Sequence, residues 1–486
     1  MKIKVLSPLH IGNGETKNKM SFFVESGNIY FIDENKLMYL VNKHNLSEEF
    51  IRWISEGGNS IDEFLKNHTN IKKELKQNSL YVLPTRGEIE GDINLHIKDS
   101  QNRFYIPGSS IKGAIRTALL YMVLKETTLS FKESLLYGVN NTDIKGILNV
   151  DKPKYVGIEI EKIVFRAGIL KEKGIFYNDA KYDLLKFIHF SDAYPGEEAQ
   201  FSVMPIRTFS AASQKWMNVK KFANNVEVIE SGELKCEMDI DMKELLHLKR
   251  IKEEKEWIGL REKFERLFDF SLEKLAPHNL LKYKEQIINR LCTACNEFAK
   301  EKRKRDFELI NNKQIPVCKK CGTPVDKNNK CKKCNKICSR KEIQILNLER
   351  LSEKYPKDFQ KGIGVVKLGF GTGWTGTTVG TFLDEDTLVK IRKKHELGKL
   401  KYEISCRFCN TILVPDFWGN KVIKNKKIQN IFKKCPNCNR SLKKEDLVVT
   451  VKDVFSPFPK TIRIAFWFKD NTFYMFPLGW LSFAFA

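Results

Sequence analysis

Two pairs of Cys-x-x-Cys motifs place the strongest constraint on how this 486-residue chain can fold. Each pair has the spacing of two knuckles that together close a tetrahedral site of four thiolates. Four thiolates leave no open coordination position and favour zinc, so the sequence predicts two structural Zn²⁺ sites. The ligands would be Cys318, Cys321, Cys331 and Cys334 in the first site, and Cys406, Cys409, Cys435 and Cys438 in the second.

The segments that carry these motifs are predicted to form two small zinc-ribbon-like lobes, over residues 315–340 and 404–440. In the first lobe, six lysines lie between the first and last ligands, which leaves too few apolar side chains for a core. The metal must therefore supply the folding free energy of this lobe. Cys338 is a spare thiol beside the first site. Cys292 and Cys295 form a further Cys-x-x-Cys motif inside a helical pattern, where we expect them to be buried.

The chain has a formal net charge of +24, from 84 Lys and Arg against 60 Asp and Glu. Such an excess favours a polyanionic partner, because cations that neutralise phosphates release counterions. The alternative is a solvated basic surface. No apolar run is long enough to span a bilayer, and cysteines grouped as metal ligands indicate a reducing compartment. We therefore expect a cytoplasmic protein without a membrane segment.

Strand and helix patterns alternate irregularly along the chain, which favours an α+β sandwich over a Rossmann sheet. Asp33 can cap a helix, and a second helical pattern covers residues 60–76. Residues 242–310 are predicted to be helical and highly charged. A short helix is predicted over residues 341–354.

The segment Ser7–Gly14, with the sequence SPLHIGNG, is typical of a glycine turn after a strand. Gly12 and Gly14 allow the backbone to approach a phosphate closely. His10 is the candidate acid or base if the protein cleaves RNA. The alternative is a histidine that packs within the turn, which is favoured because no second histidine lies nearby in the sequence.

Residues 105–116, YIPGSSIKGAIR, are predicted to form a loop that enters a long helix, with one of its two serines as the N-cap. Free amides of a first helical turn and the helix dipole make an anion site. A lysine and an arginine four residues apart add charge on one helix face. The alternative is tight packing of small residues. The predicted phosphate-binding residues are Pro107, Gly108, Ser109, Ser110, Lys112 and Arg116.

Residues 369–376, GFGTGWTG, contain a GxGxxG pattern. The pattern is weak by itself, because no βαβ unit surrounds it and the Lys-Ser/Thr of a P-loop is missing. A glycine loop with a tryptophan at its tip suits a sugar-phosphate chain with one base stacked on the indole. The alternative is a plain turn with a core tryptophan. The residues expected to line RNA here are Gly369, Gly371, Gly373 and Trp374.

Five segments follow one another along the chain: LSPLHIGNGE, YIPGSSIKGAIRTALL, FSDA, GFGTGW, and FPKTIRI followed by PLGW. In this order they resemble the RAMP superfamily of CRISPR-associated proteins. The last segment is most similar to the Csm-type subunit that caps the 3′ end of the crRNA in type III-A effector complexes. The two cysteine lobes depart from the family pattern and are interpreted as insertions in or beside the second half.

The resemblance implies two ferredoxin-like (RRM-like) RAMP domains with helical insertions, over residues 1–150 and 151–486. It also implies a noncatalytic subunit that holds crRNA, ends the backbone filament and acts in antiviral defence. Its partners would be crRNA, other Csm subunits, above all a backbone RAMP neighbour, and target RNA. His10 and the three glycine-containing segments would line the RNA path.

Two other functions stay open from the sequence. A RAMP endoribonuclease would process precursor crRNA with His10 as general acid or base. An adaptor would use its cysteine lobes to dock another subunit or a nuclease.

Overall fold

The structure of the chain is a computed structural model. It describes residues 1–126, 158–172, 174–177, 179–211, 215–219, 223–326, 328–373, 376, 379–381, 385–419, 434–455, 458–459 and 461–485. The expected domain boundary near residue 150 and the predicted RNA-stacking residue Trp374 lie outside the described residues.

The described elements are ten α-helices and 25 strands, besides short 3₁₀ helices. The helices are α1 Glu34–Lys43, α2 Ser47–Ser55, α3 Ile61–Asn67, α4 Thr69–Gln77, α5 Gly108–Glu126, α6 Ile158–Phe165, α7 Met242–Arg250, α8 Leu260–Phe268, α9 Leu280–Ile310 and α10 Glu385–His395. The strands are β1 Lys2–Val5, β2 Gly12–Lys17, β3 Phe22–Glu25, β4 Asn28–Phe31, β5 Tyr81–Pro84, β6 Ile93–His96, β7 Ile169–Lys171, β8 Gly174–Phe176, β9 Ile188–Phe190, β10 Tyr194–Pro195, β11 Gln200–Ala211, β12 Met217–Val219, β13 Asn224–Lys235, β14 Met238–Ile240, β15 Gln314–Cys318, β16 Lys330–Cys331, β17 Lys336–Ile337, β18 Ile343–Asn347, β19 Ile363–Lys367, β20 Leu400–Cys406, β21 Ile412–Gly419, β22 Leu447–Val454, β23 Thr461–Lys469, β24 Thr472–Phe476 and β25 Trp480–Ala484. Among the described residues, none of these helices combines the length and apolar character that crossing a bilayer requires.

The centre of the fold is one large sheet. Its main path runs in the order β19, β25, β1, β13, β11, β23 and β24, and each neighbouring pair on this path is antiparallel. β6 lies parallel to β13 and also pairs with β2. This antiparallel sheet with helices against it confirms the α+β class expected from the sequence.

Two twelve-residue strands, β11 and β13, make the sheet curl. β13 pairs with β11 along its first part and with β1 and β10 along its last part. The change of partner comes near Gly232, whose φ is +115° and whose α-carbon lies against Ala199, next to a register shift at Gln200. A bulge of this kind bends a strand and increases its twist.

The sheet combines segments from both expected halves of the chain. β1 lies between β13 and β25, with Lys2 opposite Lys235 on one side and opposite Ala484 on the other. Because one sheet contains strands from both halves, the division into two ferredoxin-like domains stays a prediction.

The residues between β2 and β6 form a smaller lobe with its own apolar core, made of the sheet β3–β4–β5 and helices α1–α4. Asp33 caps α1 as predicted, since its side chain accepts a hydrogen bond from the N–H of Asn35 (2.8 Å). The helical pattern predicted over residues 60–76 is confirmed, and it forms two helices, α3 and α4, because the backbone leaves the helical conformation at His68.

The longest helix, α9, covers the edge strand β19. The buried side-chain amide of Asn296 accepts a hydrogen bond from Val365 N–H (3.0 Å) and donates one to Ile363 O (2.8 Å). These bonds satisfy backbone groups that would otherwise be open to another strand. Cys292 and Cys295 are buried on the same helix, as expected, and burial raises the pKa of Cys292 to about 12.

The two cysteine lobes are built from short antiparallel strands. The first contains the pairs β15–β18 and β16–β17, and the second contains β20 between β21 and β22. The short helix predicted over 341–354 is wrong in its first part, where Ile343–Asn347 forms β18 and pairs with β15. The second lobe is larger than 404–440, because β20 begins at Leu400 and β22 ends at Val454.

We predict that Gly479→Ala destabilises the fold more than Gly27→Ala. Both glycines have a φ of +76°, a conformation that costs an alanine about 1–2 kcal/mol. A Cβ atom at Gly27 would have open space, whereas one at Gly479 would overlap the carbonyl oxygen of Leu368. Thermal unfolding followed by circular dichroism should show a clearly larger decrease in Tm for Gly479→Ala. Equal decreases would contradict the importance of this close contact.

Candidate nucleic-acid interface and metal sites

Three turns from distant parts of the chain meet at one place in the fold. We call this place the turn junction, and its turns comprise residues 7–14, 368–373 and 477–480. Gly479 N–H donates to Pro8 O (2.9 Å), and Leu368 N–H donates to Gly479 O (2.7 Å). Phe370 N–H donates to His10 O (2.8 Å). The fold therefore joins the SPLHIGNG, GFGTG and PLGW segments through main-chain hydrogen bonds.

Two glycines of the turn junction pack against protein. Gly369 has a φ of +74°, and its α-carbon faces the carbonyl of His10 so closely that a side chain would overlap it. Gly371 has a φ of +102° and lies against the side chain of Leu478. At these two positions, the missing side chain of glycine allows the turns to pack closely.

Three glycines of the turn junction face solvent instead. Gly12 and Gly14 are exposed, and the structure places them in strand β2 instead of the predicted turn, because Gly12–Lys17 pairs with β6. Gly373 is also exposed. A Cβ atom built on Gly14 or Gly373 would meet no atom within 4 Å. Of the predicted RNA-lining glycines, these three are the exposed ones.

His10 has the surroundings of a packing histidine. Only 4% of its surface is exposed, and its Nδ1–H donates to the carbonyl oxygen of Glu227 (2.7 Å). Its ring meets that of Phe370 edge to face, with the centroids 5.7 Å apart. Burial lowers the pKa of His10 from its ordinary value, so the ring stays neutral near pH 7.

A buried polar cluster lies beneath this histidine. The side chain of Glu227 has no exposed surface, and it accepts hydrogen bonds from Lys98 Nζ, the Tyr81 hydroxyl and the His96 main-chain N–H, each at 2.8 Å. Such a fully bonded ion pair ties together strands that are far apart in sequence. Removing one partner would leave an uncompensated charge in the interior.

His96 is the second histidine that could not be found from the sequence, and its ring centroid is 5.9 Å from that of His10. It is fully buried, and burial is the main cause that lowers its pKa to about 3. Its Nδ1 accepts from Ile11 N–H and its Nε2–H donates to Tyr105 O, both at 3.2 Å. Both ring nitrogens are therefore engaged, and His96 links the first glycine turn to the segment before α5.

The start of α5 differs from its prediction. The helix begins at Gly108, so neither Ser109 nor Ser110 is the N-cap. A carboxylate oxygen of Asp192, from the FSDA segment, accepts the Gly108 N–H at 2.9 Å. The protein itself thus places a negative group where a phosphate was expected. Ser109 is exposed there, and Pro107 and Ser110 are half-buried.

The two predicted cations of α5 are engaged by protein groups. Lys112 Nζ donates to Ile188 O (2.7 Å). Arg116 pairs with Glu161 (2.5 Å) and Asp183 (2.9 Å), and only 16% of its side chain is exposed. Both cations are therefore largely engaged by groups within the fold.

Arg463 is a candidate RNA contact that was not predicted. It is exposed on β23, and its guanidinium lies 4.2 Å from the centre of the Phe370 ring. No carboxylate pairs with Arg463 in the part of the chain that the structure describes. The alternation of apolar and polar residues along the FPKTIRI segment could have predicted that Arg463 is exposed, since Ile462 and Ile464 on either side are buried.

Each of the two predicted cysteine groups has the geometry of a four-thiolate metal site. Within each group the four sulfur atoms lie within 4.8 Å of one another. Pairs of sulfur atoms are 3.9 and 3.4 Å apart in the first group, and 3.8 and 3.5 Å apart in the second. Thiolates bound tetrahedrally at about 2.3 Å from a metal would be about 3.8 Å apart. All eight predicted cysteines thus fit two metal ions.

The residue after each Cys-x-x-Cys motif is a second signal of these sites, and it was missed. These residues all have a φ between +49° and +69°, a conformation that glycine and asparagine adopt most readily. In three of the four, the main-chain N–H donates to the carbonyl of the first cysteine of the motif at 2.8–3.0 Å, which closes the turn. The four residues are Gly322, Asn335, Asn410 and Asn439.

A family pattern accounts for the order of these turns. The pattern of the RAMP superfamily matches residues 2–374. The chain belongs to the RAMP superfamily. This membership confirms the resemblance that the glycine segments suggested, and the matched range includes two of the three turns of the turn junction.

Curated relatives match part of this RAMP-superfamily chain. A protein named CRISPR system Cms protein Csm5, from Streptococcus thermophilus, is 29% identical over 132 residues, which is 25% of this chain and 37% of that protein. The protein of the same name from Methanocaldococcus jannaschii is also 29% identical over 132 residues, or 25% of this chain and 30% of the relative. The matched part thus spans well under half of the length of these relatives.

Two solved structures share the fold. A chain in the cryo-EM structure of a Csm–crRNA–target RNA ternary complex of a type III-A CRISPR-Cas system has a TM-score of 0.59 at 21% identity, covering 99% of this chain and 98% of that one. The crystal structure of T. onnurineus Csm5 has a TM-score of 0.53 at 19% identity, covering 79% and 94%. At these identities the likeness shows the fold alone.

We expect two metal ions per chain, one in each lobe. Cys406→Ser should lower the metal content by one ion per chain, measured by inductively coupled plasma mass spectrometry, because the remaining three thiolates bind less tightly. Cys295→Ser is the matched control, since that thiol is buried in α9 outside both groups. An unchanged metal content in Cys406→Ser would show that the second group binds no metal.

Glu227→Gln should destabilise the fold by about 3–5 kcal/mol, because it leaves the ammonium of Lys98 buried without a counter-charge. Lys76→Gln is the control. It removes an ion pair with Glu25 that is partly exposed, and such pairs contribute little to stability. Urea unfolding followed by tryptophan fluorescence measures both. A similar decrease in the free energy of unfolding for the two variants would mean that the Glu227 cluster adds little to stability.

Proposed function

We propose that this chain is a crRNA-binding subunit of a type III-A Csm effector complex, which caps the 3′ end of the crRNA and ends the backbone filament. The observation that carries the proposal is the exposed side of the turn junction. There exposed Gly12, at the start of β2, lies beside His10, whose ring meets that of Phe370. Arg463, which pairs with no carboxylate among the described residues, lies over the Phe370 ring, on a chain of net charge +24. The Csm5 names of the relatives and the fold shared with a chain of a Csm–crRNA–target RNA complex support it.

Such a surface suits the sugar-phosphate backbone. Open glycine turns let main-chain N–H groups approach phosphate oxygens, and an arginine adds charge-assisted bonds. Contacts of this kind fix the position of a strand and do not read its bases. A guide RNA, whose sequence must vary, needs this type of recognition.

We propose that the chain holds RNA without cleaving it. Acid–base cleavage requires titratable groups within reach of the reacting hydroxyl. His10 is buried, with Nδ1 bonded to a main-chain carbonyl, and His96 is bonded through both ring nitrogens. The pair that would be the first candidate for an endoribonuclease is therefore committed to packing.

The remaining features of the proposal follow the family. Its protein partners would be other Csm subunits, above all a backbone RAMP neighbour, with target RNA as a further ligand. The chain would consist of two ferredoxin-like RAMP domains, over 1–150 and 151–486. Zinc is the metal that four thiolates favour in both lobes, and cysteines that bind metal instead of forming disulfides suit a reducing cytoplasm.

The salt dependence of crRNA binding tests the RNA surface. The affinity of the wild-type chain should fall steeply with salt, and Arg463→Gln should reduce the log–log slope by about 0.7, because the variant neutralises one phosphate fewer. Arg52→Gln on α2 is the control, since Arg52 is also exposed and lies in the smaller lobe. Fluorescence anisotropy with a labelled crRNA measures both slopes. A flat slope in the wild-type chain would contradict the proposal.

A cleavage assay separates the proposal from the endoribonuclease. The isolated chain is incubated with a repeat RNA in the absence of added metal, and product ends are examined for a 2′,3′-cyclic phosphate. We expect no product from either the wild-type chain or His10→Ala. Cleavage by the wild-type chain that His10→Ala abolishes would establish the endoribonuclease instead.

A further inference from the structure

A groove lies along the second half of α9. It is formed between this helix and the 3₁₀ segment Leu348–Lys354, and it has a volume of about 530 Å³. Its walls include Lys300, Arg303, Lys304 and Phe307. Volumes in this range are typical of sites for small organic ligands.

The helix sorts a run of charged residues, KEKRKR, onto two faces. Residues 300, 303, 304 and 307 are three or four positions apart, which places them on one face that lines the groove. Lys302 and Asp306 point the other way and form a buried ion pair, which Lys367 completes. Part of the positive charge of this run therefore faces the groove.

Among the described residues, two of the three cations that line the groove lack a carboxylate partner. Lys300 pairs with Glu297 (3.0 Å), whereas neither Arg303 nor Lys304 has such a pair. The Nε of Arg303 is buried and has no hydrogen-bond partner there, while its guanidinium lies 4.8 Å from the centre of the Phe307 ring. A buried donor without an acceptor is costly, so this arrangement favours a ligand that brings an anionic acceptor.

The other walls narrow the chemistry of that ligand. Phe307 and Ile310 offer an apolar surface, and Phe307 is a ring on which a base can stack. Glu308 and Glu349 also line the groove, and carboxylates accept hydrogen bonds from ribose hydroxyls. A simple anion would gain nothing from the aromatic wall and would be repelled by the two carboxylates.

We propose that this groove binds a nucleoside phosphate. Arg303 and Lys304 bind the phosphate, Phe307 stacks on the base, and the carboxylates face the ribose. The same chemistry has two sources, a nucleotide within an RNA strand or a free nucleotide. The strand source rests on the proposed function, whereas the free source is independent of it.

The test compares two full-length double variants with the same change of charge on the same helix. Arg303→Gln/Lys304→Gln alters the groove. Lys282→Gln/Lys284→Gln is the control, roughly 30 Å away along α9. Circular dichroism and Tm establish that both variants are folded. The probes are AMP, by isothermal titration calorimetry, and a fluorescein-labelled single-stranded RNA of crRNA length, by anisotropy over a range of salt concentrations.

If the ligand is a free nucleotide, the groove variant should bind AMP at least about tenfold more weakly than the wild-type chain, and AMP binding of the control should be unchanged. For the strand source, the groove variant should lower the log–log salt slope of RNA binding by about 1.4, since two cations no longer neutralise phosphates, and by more than the control does. Phe307→Leu should also lower the affinity for whichever probe the groove variant binds more weakly, because it removes the stacking surface.

Equal binding of both probes by the groove variant and the control would overturn the proposal. Failure of the proposed function has a different signature. In that case even the wild-type chain binds no RNA, and the AMP titration alone decides whether the groove is a nucleotide site.

Discussion

The hydrogen bonds that hold β1 between β13 and β25 determine where the three turns of the turn junction can meet. β19, β25 and β1 are adjacent antiparallel strands. The end of β1, the start of β25 and the end of β19 therefore lie side by side at the same end of these strands. The turn junction forms there, because each of its turns directly follows or precedes one of these strands. Strand pairing thus brings together three sequence segments, two of them hundreds of residues from the first, and hydrogen bonds between the turns join them.

Several cations of the chain are neutralised inside the fold. Lys98 neutralises Glu227, Arg116 pairs with two carboxylates, and Lys302 and Lys367 share Asp306. The two cations of the YIPGSSIKGAIR segment are therefore engaged within the fold, whereas Arg463 of the FPKTIRI segment pairs with no carboxylate among the described residues. Within the part of the chain that the structure describes, Arg463 beside the turn junction and Arg303 and Lys304 in the α9 groove pair with no carboxylate.

Features that depend on near neighbours could be predicted from the sequence, and those that depend on tertiary contacts could not. The metal ligands follow from spacing within each knuckle, and Asp33 as a cap follows from the residues beside it. By contrast, 86 residues separate His10 from His96, and the carboxylate at the start of α5 comes from Asp192 in another segment. Ile343–Asn347 was mistaken for helix because only its pairing with β15 makes it a strand.

The position of β1 also shapes how the chain can fold during synthesis. β1 can pair with β13 once residue 235 has left the ribosome, but its other neighbour, β25, is made about 245 residues later. At about 5–20 residues per second that interval is roughly 12–50 s. During this interval the free edge of β1, which β25 will later cover, has unpaired backbone groups, and the turn junction is incomplete. A polypeptide interrupted before β25 would therefore lack the proposed RNA surface and be prone to associate through that edge.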